Sequence, residues 1–198
     1  MQRNPRYPDS IVGHGEALVR PKVSDHFDYE GELTVVIGKP GRHIPQDRAL
    51  DHVAGYTLCN DGSIRDFQRH TTQFTPGKNF WRSGSIGPWI VTADEIPDPA
   101  ALSIETRLNG VTVQRSPISD LIFPVPALIA YISSFTPLAT GDVIAIGTPS
   151  GVGAFHEPPL WMKPGDRVEV IANGIGTLCN GIADEVADEI VDEVAGAA

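Results

Sequence analysis

Cysteine is nearly missing from this 198-residue chain, with Cys59 and Cys179 the two present. Two thiols are too few for a disulfide framework or a cysteine-built zinc site. Each lies among apolar neighbours and reads as a buried free thiol. No stretch approaches the ~18 consecutive apolar residues of a membrane-crossing helix, so no membrane partner is expected. The opening Met1-Gln2-Arg3-Asn4-Pro5 has no apolar run behind its basic residue and does not read as a secretory leader, which makes the cytoplasm the expected location. A basic excess is lacking as well. The formal charge is −10, and phosphate binding needs a basic face, so nucleic acid is not an expected partner.

Several chemical signatures are absent. The six histidines, at 14, 26, 43, 52, 70 and 156, show no paired metal spacing. Ser150 lacks the strand–turn–helix context of a nucleophile elbow. Gly77-Lys78 is not a phosphate-binding P-loop. The glycines between 147 and 153 lack the spacing of a dinucleotide fingerprint, so neither nicotinamide nor flavin is implied.

What remains reads as strands and turns. Leu33–Ile37 is β-branched and closed by Gly38, Pro40 and Gly41. Val53–Leu58 is apolar and runs into Asn60-Asp61-Gly62. Leu102, Ile104, Thr106 and Leu108 alternate with polar residues before Asn109-Gly110 and Val111-Thr112-Val113, which predicts a hairpin. Arg167–Ile171 followed by Asn173-Gly174 suggests a second. One core helix is expected near Leu128, Ile129, Ile132 and Phe135, capped by Ser119 or Asp120, with Pro124 and Pro126 in its first turn. Asp142–Ile146 reads as a buried strand. The first 27 residues show no sustained period and read as irregular. Six acids between 184 and 193 carry much of the negative charge. With Val186, Ile190 and Val194 they suggest an acidic tail over 183–198, helical or frayed.

Four segments carry candidate chemistry. In Asp28-Tyr29-Glu30-Gly31-Glu32, a strand would put Glu30 and Glu32 on one face, with Gly31 allowing a close approach. Neighbouring carboxylates repel unless a cation lies between them, and their oxygens suit Mg²⁺, Mn²⁺ or Ca²⁺. Two exposed acids on an edge strand fit the same pattern. Asp61 could add a third carboxylate, with Arg65 for a substrate carboxylate and Gln68 for an oxyanion, although a surface Arg–Asp pair at a helix start also accounts for them. Lys78 among glycine and aromatics could polarise a carbonyl or remain a surface lysine. Gly147–Gly153 could turn backbone N–H groups and the Thr148 hydroxyl toward an anionic oxygen, or be a structural turn.

Taken in order, Asp28–Leu33, Asn60–Gln68, Gly77–Phe80, Gly141–Ile144, Gly147–Gly153, Lys163–Asp166 and Gly174–Asn180 resemble the fumarylacetoacetate hydrolase family. The resemblance runs from about residue 8 to 185. It implies an α+β, strand-rich fold, a mixed β-sheet roll with few short helices, occupying residues 1–182 as one catalytic domain. It implies a divalent metal (Mg²⁺ first, with Mn²⁺ or Ca²⁺ as alternatives) on Glu30, Glu32 and Asp61. Arg65, Gln68, Lys78 and Thr148 fall on the family's catalytic positions, and these four with Gly147 on its substrate positions. The implied partners are a small 2-oxo or 1,3-dicarbonyl acid and a second copy of the chain.

Hydrolytic cleavage of a carbon–carbon bond in an acylpyruvate or fumarylacetoacetate-type diketo acid is the leading expectation. Oxaloacetate-like decarboxylation, enol–keto isomerisation and a non-catalytic metal-binding module are the alternatives. Hydrolysis needs a base to activate water. Hydrolytic relatives carry an upstream His–Glu pair, and His14 and Glu16 stand in a Gly-His-Gly context that corresponds to another part of the family pattern.

Overall fold

The computed structural model describes residues 5–186. Its strands are β1 (Ile11–Val12), β2 (Leu18–Arg20), β3 (Phe27–Asp28), β4 (Gly31–Ile37), β5 (Val53–Asn60), β6 (Ser63–Ile64), β7 (Gly84–Thr92), β8 (Ser103–Leu108), β9 (Val111–Pro117), β10 (Val143–Ala145), β11 (Arg167–Ala172) and β12 (Gly176–Asp184). The α-helices are α1 (Arg65–Gln68), α2 (Thr75–Lys78) and α3 (Val125–Phe135).

Two five-stranded sheets form the body, in the orders β1-β7-β5-β4-β10 and β2-β12-β11-β8-β9, and β3 pairs with β6. The β1–β7 and β2–β12 ladders are parallel and the others antiparallel, so both large sheets are mixed. Every residue of β4 is buried. Leu33, Val35, Tyr56 and Leu58 of the first sheet share a core with Ile104, Val170, Ala172 and Leu178 of the second, and α3 adds Val125, Leu128 and Ile129. A second core gathers Phe27, Tyr29, Ile64, Met162 and Val168. The strand-rich mixed-sheet roll with few helices is the architecture the sequence led us to expect.

Both hairpins form. Leu108 faces Val111 across Asn109-Gly110, whose φ values of 52° and 80° are those of a type I′ turn. Ala172 faces Gly176 in the other.

Four local expectations need correction. Ser119 and Asp120 lie in a 3₁₀ turn, Ile118–Asp120, and Pro124 occupies the cap position of α3. A helix capped at 119 or 120 would carry Pro124 and Pro126 inside it, where each lacks an N–H and clashes with the preceding turn. The Asp142–Ile146 segment pairs only over Val143–Ala145, at the sheet edge, with Val143 exposed. The segment read as irregular contains β1, β2 and the first residue of β3, strands too short to show a period. Ala183 and Asp184, assigned to the tail, end β12 and pair with Val19 and Arg20. The helical expectation from residue 187 onward lies outside the described residues.

Candidate metal and substrate site

Strand β4 begins in close contact with the second sheet. A Cβ on Gly31 would lie 2.0 Å from Thr106 Oγ1 and 3.2 Å from a Val170 methyl, so the close approach here is by side chains of the second sheet. The Gly31 N–H donates to Gln114 Oε1 (3.1 Å), and its carbonyl accepts from Thr148 Oγ1 (3.0 Å). Thus anchored, the strand turns Glu30 and Glu32 to the same side. Asp61, just past β5, joins them: its N–H donates to the Glu30 carbonyl (2.8 Å), and ligand oxygens of the three carboxylates all lie within 4.8 Å of one another.

Cations meet this cluster from three directions. Lys78, at the end of α2, donates to Glu30 Oε2 (2.8 Å), Asp61 Oδ2 (2.5 Å) and the Asp61 carbonyl (3.2 Å). Those are all three of its protons. Arg65 donates through Nη1 to Glu30 Oε1 (2.5 Å) and Gln68 Oε1 (2.9 Å), and through Nε to Asp28 Oδ2 (2.7 Å). Arg6 donates to Asp61 Oδ1 (2.6 Å).

The electrostatics follow from this crowding. Burial, then the charges of Asp61 and Glu30, push the Glu32 carboxyl up to about 8. Burial also works against ionised Asp61, but Lys78 and Arg6 outweigh it and hold that carboxyl below its ordinary value. For Lys78 burial disfavours the ammonium, but Glu30, Asp61 and Glu32 outweigh it and its pKa is raised.

The cluster opens into a cavity of about 1700 Å³. Arg6, Glu30, Glu32, Asp61, Arg65, Gln68, Lys78, Gly147 and Thr148 form part of its wall, while Ile118, Leu121, Phe123, Ile132, Phe135 and Leu138 line an apolar part. The structure therefore brings together all the predicted site residues. The donors expected to face an oxyanion are engaged within the protein: Gly147 N–H donates to Glu32 Oε2 (2.6 Å), and the Thr148 hydroxyl bonds Gly31 and accepts from Gln114 Nε2 (2.8 Å). Arg65 Nη2, by contrast, is buried with no partner.

The sequence pattern described as fumarylacetoacetate (FAA) hydrolase C-terminal matches residues 5–183. The chain belongs to the fumarylacetoacetate hydrolase family. Oxaloacetate tautomerase YisK of Bacillus subtilis is 43% identical over 176 residues, covering 88% of this chain and 58% of the relative. The mitochondrial oxaloacetate tautomerase FAHD2A of Homo sapiens is 42% identical over 177 residues, 88% of this chain and 56% of that protein. Among solved structures, a fumarylacetoacetate hydrolase from Exiguobacterium antarcticum superposes with a TM-score of 0.87 at 38% identity, over 91% of this chain and 65% of the other. A 5-carboxymethyl-2-hydroxymuconate delta-isomerase from Mycobacterium smegmatis gives 0.82 at 37% identity, over 90% and 67%. The chain spans less than two thirds of the length of the two tautomerases.

For this member of the fumarylacetoacetate hydrolase family, an observation of its own supports a fit to a hard divalent cation. Three carboxylates converge with no nitrogen or sulfur ligand among them, the donor set such ions take. His14 and Glu16 do not join the site. His14 Nδ1 accepts from Cys179 N–H (3.1 Å), Glu16 pairs with Arg82, and neither lines the cavity.

Five residues with a hand in the site have no role assigned from the sequence. Arg6 and Asp28 pair with Asp61 and Arg65. Asn60 Oδ1 accepts from Glu30 N–H (3.0 Å), and Ser63 Oγ donates to Glu30 Oε1 (3.3 Å). Gln114 ties Gly31 to Thr148 and to the Pro149 carbonyl. For Asp28, Asn60 and Ser63 a signal existed, since all three lie inside the segments Asp28–Glu32 and Asn60–Gln68 already singled out.

Proposed function

We propose that this protein is a divalent-cation-dependent isomerase that interconverts the enol and keto forms of a small 2-oxo acid of the oxaloacetate type. The observation that carries the reading is the convergence of Glu30, Glu32 and Asp61 with Arg65 and Lys78 at one end of the cavity. The tautomerase and isomerase relatives support the same choice.

Glu30, Glu32 and Asp61 would hold the cation, with Mg²⁺ the first expectation. Such an ion supplies Lewis-acid polarisation of the 2-oxo group. Arg65 has a buried N–H without a partner and binds the substrate carboxylate. Gln68 fixes the Arg65 guanidinium. Thr148 and Gly147 hold Gly31 and Glu32 in place and so shape the floor of the site. Lys78 carries the transferable protons: its Nζ gives one to the carbon beside the carbonyl and receives the one that leaves the enol oxygen. No water is consumed and no carbon–carbon bond breaks.

In this reading the catalytic domain runs through Asp184, where β12 ends, the acidic residues that follow are an appendage, and the protein works in the cytoplasm as a homodimer. The exposed apolar side chains of Ile122, Phe123 and Phe135 fit a partner chain, and sedimentation tests that point. No helix among the described residues is long and apolar enough to cross a membrane.

The deciding experiment follows the loss of enol absorbance of oxaloacetate with Mg²⁺ or Mn²⁺, with chelator, and with Glu30→Ala. Cation-dependent acceleration lost in both controls supports the reading. Carbon dioxide release would point to decarboxylation instead. Cleavage of an acylpyruvate with no effect on oxaloacetate would favour hydrolysis, a second reading supported by the likeness to the Exiguobacterium hydrolase. Cation binding without turnover on any of these acids would leave a binding module.

A further inference from the structure

Two carboxylates of the cluster are gripped by cations on both oxygens: Glu30 by Arg65 on Oε1 and Lys78 on Oε2, and Asp61 by Arg6 on Oδ1 and Lys78 on Oδ2. The two grips on Asp61 differ. Lys78 shares itself between Asp61 and Glu30, on oxygens that would also serve a divalent cation. Arg6 takes the opposite oxygen of Asp61 and is bound to neither glutamate, so its hold is compatible with a cation between Asp61 and the glutamates.

The seat of Arg6 is built in detail. Nη1 also donates to the Gly62 carbonyl (3.1 Å), and Nη2 to Ser83 Oγ (3.0 Å) and the Ser10 carbonyl (3.4 Å). A Cβ at position 84 would lie 2.4 Å from Arg6 Nη2, so glycine there leaves the guanidinium its space. The backbone on either side of Arg6 is pinned by one side chain. Asn79 Nδ2 donates to the Pro5 carbonyl (2.9 Å), and Tyr7 N–H donates to Asn79 Oδ1 (2.6 Å). Asn79 directly follows Lys78, so the segments that supply the two cations on Asp61 are tied to each other.

We propose that Arg6 is a positioning residue for the metal centre: it fixes the rotation of the Asp61 carboxylate so that Oδ2 is presented to a cation shared with Glu30 and Glu32. The inference rests on the reading of those three carboxylates as a cation site. Two effects of removing Arg6 oppose one another. Loss of a positive charge beside the ligands favours cation binding, whereas loss of the fork frees Asp61 to rotate. Partners that orient a metal ligand typically contribute about 10- to 100-fold in affinity. The four hydrogen bonds that hold this fork make orientation the larger effect here.

Mn²⁺ binding, followed by calorimetry and by its electron paramagnetic resonance spectrum, tests the inference without any turnover assay. Arg6→Met should weaken binding by about 10- to 100-fold and change the spectrum. Arg6→Lys keeps the charge and one bond to Asp61, and should recover part of the affinity. Ser83→Ala keeps the charge, loosens the fork, and should weaken binding by a smaller factor with the metal-free melting temperature nearly unchanged. That variant keeps the test decisive if Arg6→Met fails to fold. Mn²⁺ bound as tightly or more tightly by Arg6→Met, or by Ser83→Ala where Arg6→Met does not fold, would overturn the proposal while leaving the cation site intact. Absence of Mn²⁺ binding by the unaltered protein would overturn the cation reading and this inference together.

Discussion

Arg65 Nε lies 2.7 Å from Asp28 Oδ2, joining the short helix α1 to a fully buried carboxylate on β3. The same carboxylate accepts N–H donors from Tyr29 (2.9 Å), Gly153 (2.7 Å) and Ala154 (3.0 Å). Asp28 thereby sets where Arg65 stands and where the loop following Thr148 ends. Asp28→Asn puts an NH₂ group where only acceptors fit and leaves Arg65 less compensated. We expect a loss of about 3–5 kcal/mol, measurable by urea unfolding, the range for breaking a buried pair from one side. A change under 1 kcal/mol would mean the loop is held by other contacts.

Lys78 stands at the meeting point of Glu30 and Asp61 with its side chain nearly fully buried. Lys78→Met leaves like charges facing each other, so the metal-free protein should lose several kcal/mol, on the order of 3–5. Mg²⁺ should restore part of that loss, because binding to the folded state adds stability by mass action. Lys78→Arg keeps the positive charge but holds its protons too firmly to transfer them. It should keep Mg²⁺ binding and lose oxaloacetate turnover by about 100-fold or more. Melting curves with and without Mg²⁺, set beside the turnover rates, separate the two roles.

The legible part of this site lay within single segments. Glu30 and Glu32 were readable from the period of a strand, and Asp61, Arg65 and Gln68 from their closeness in sequence. The contacts that orient these residues span much longer intervals. Arg6 reaches Asp61 across 55 positions, Gln114 reaches Gly31 across 83, and Gly153 reaches Asp28 across 125. No local pattern encodes such pairings, which arise from the meeting of two sheets. The same limit hid β1 and β2, whose two and three residues are fixed by parallel pairing with β7 and β12. The misplaced helix cap has another cause: Ser119 and Asp120 are good caps by type, and the prolines that follow forbid a helix starting there. Gly147 and Thr148, expected as oxyanion donors, line the cavity, but their bonds to Glu32 and Gly31 depend on where β4 lies.

Gly31 gives a test of the sheet contact beneath the carboxylates. Gly31→Ala would place its Cβ 2.0 Å from Thr106 Oγ1, too close to accommodate without rotation of the Thr106 side chain or movement of β4 or β8. Overpacking of this kind costs about 1–3 kcal/mol. Adding Thr106→Ala removes the nearest atom and should recover part of the stability, with the Val170 methyl at 3.2 Å still tight. Equal stability of the single and double variants would mean that strain is relieved elsewhere.

On the second sheet, Glu105 offers a pH test away from the candidate site. Thr112 donates to its Oε1 (2.6 Å), as does Arg107 (2.6 Å), and Arg115 donates to Oε2 (2.5 Å). Hydrogen bonds from Thr112 and Arg107, joined by that from Arg115, hold the carboxyl down to about 2 from an ordinary 4.5, although partial desolvation opposes them. Because the folded value lies below the unfolded one, the unfolded chain binds the proton first as pH falls. The stabilisation is therefore complete above about 4.5 and declines as pH drops toward 2. Glu105→Gln removes the charge at every pH. It should be less stable than the parent at pH 6, with the difference shrinking as pH falls through that window. Urea unfolding at several pH values measures it, and a difference constant with pH would assign the contribution of Glu105 to packing rather than ionisation.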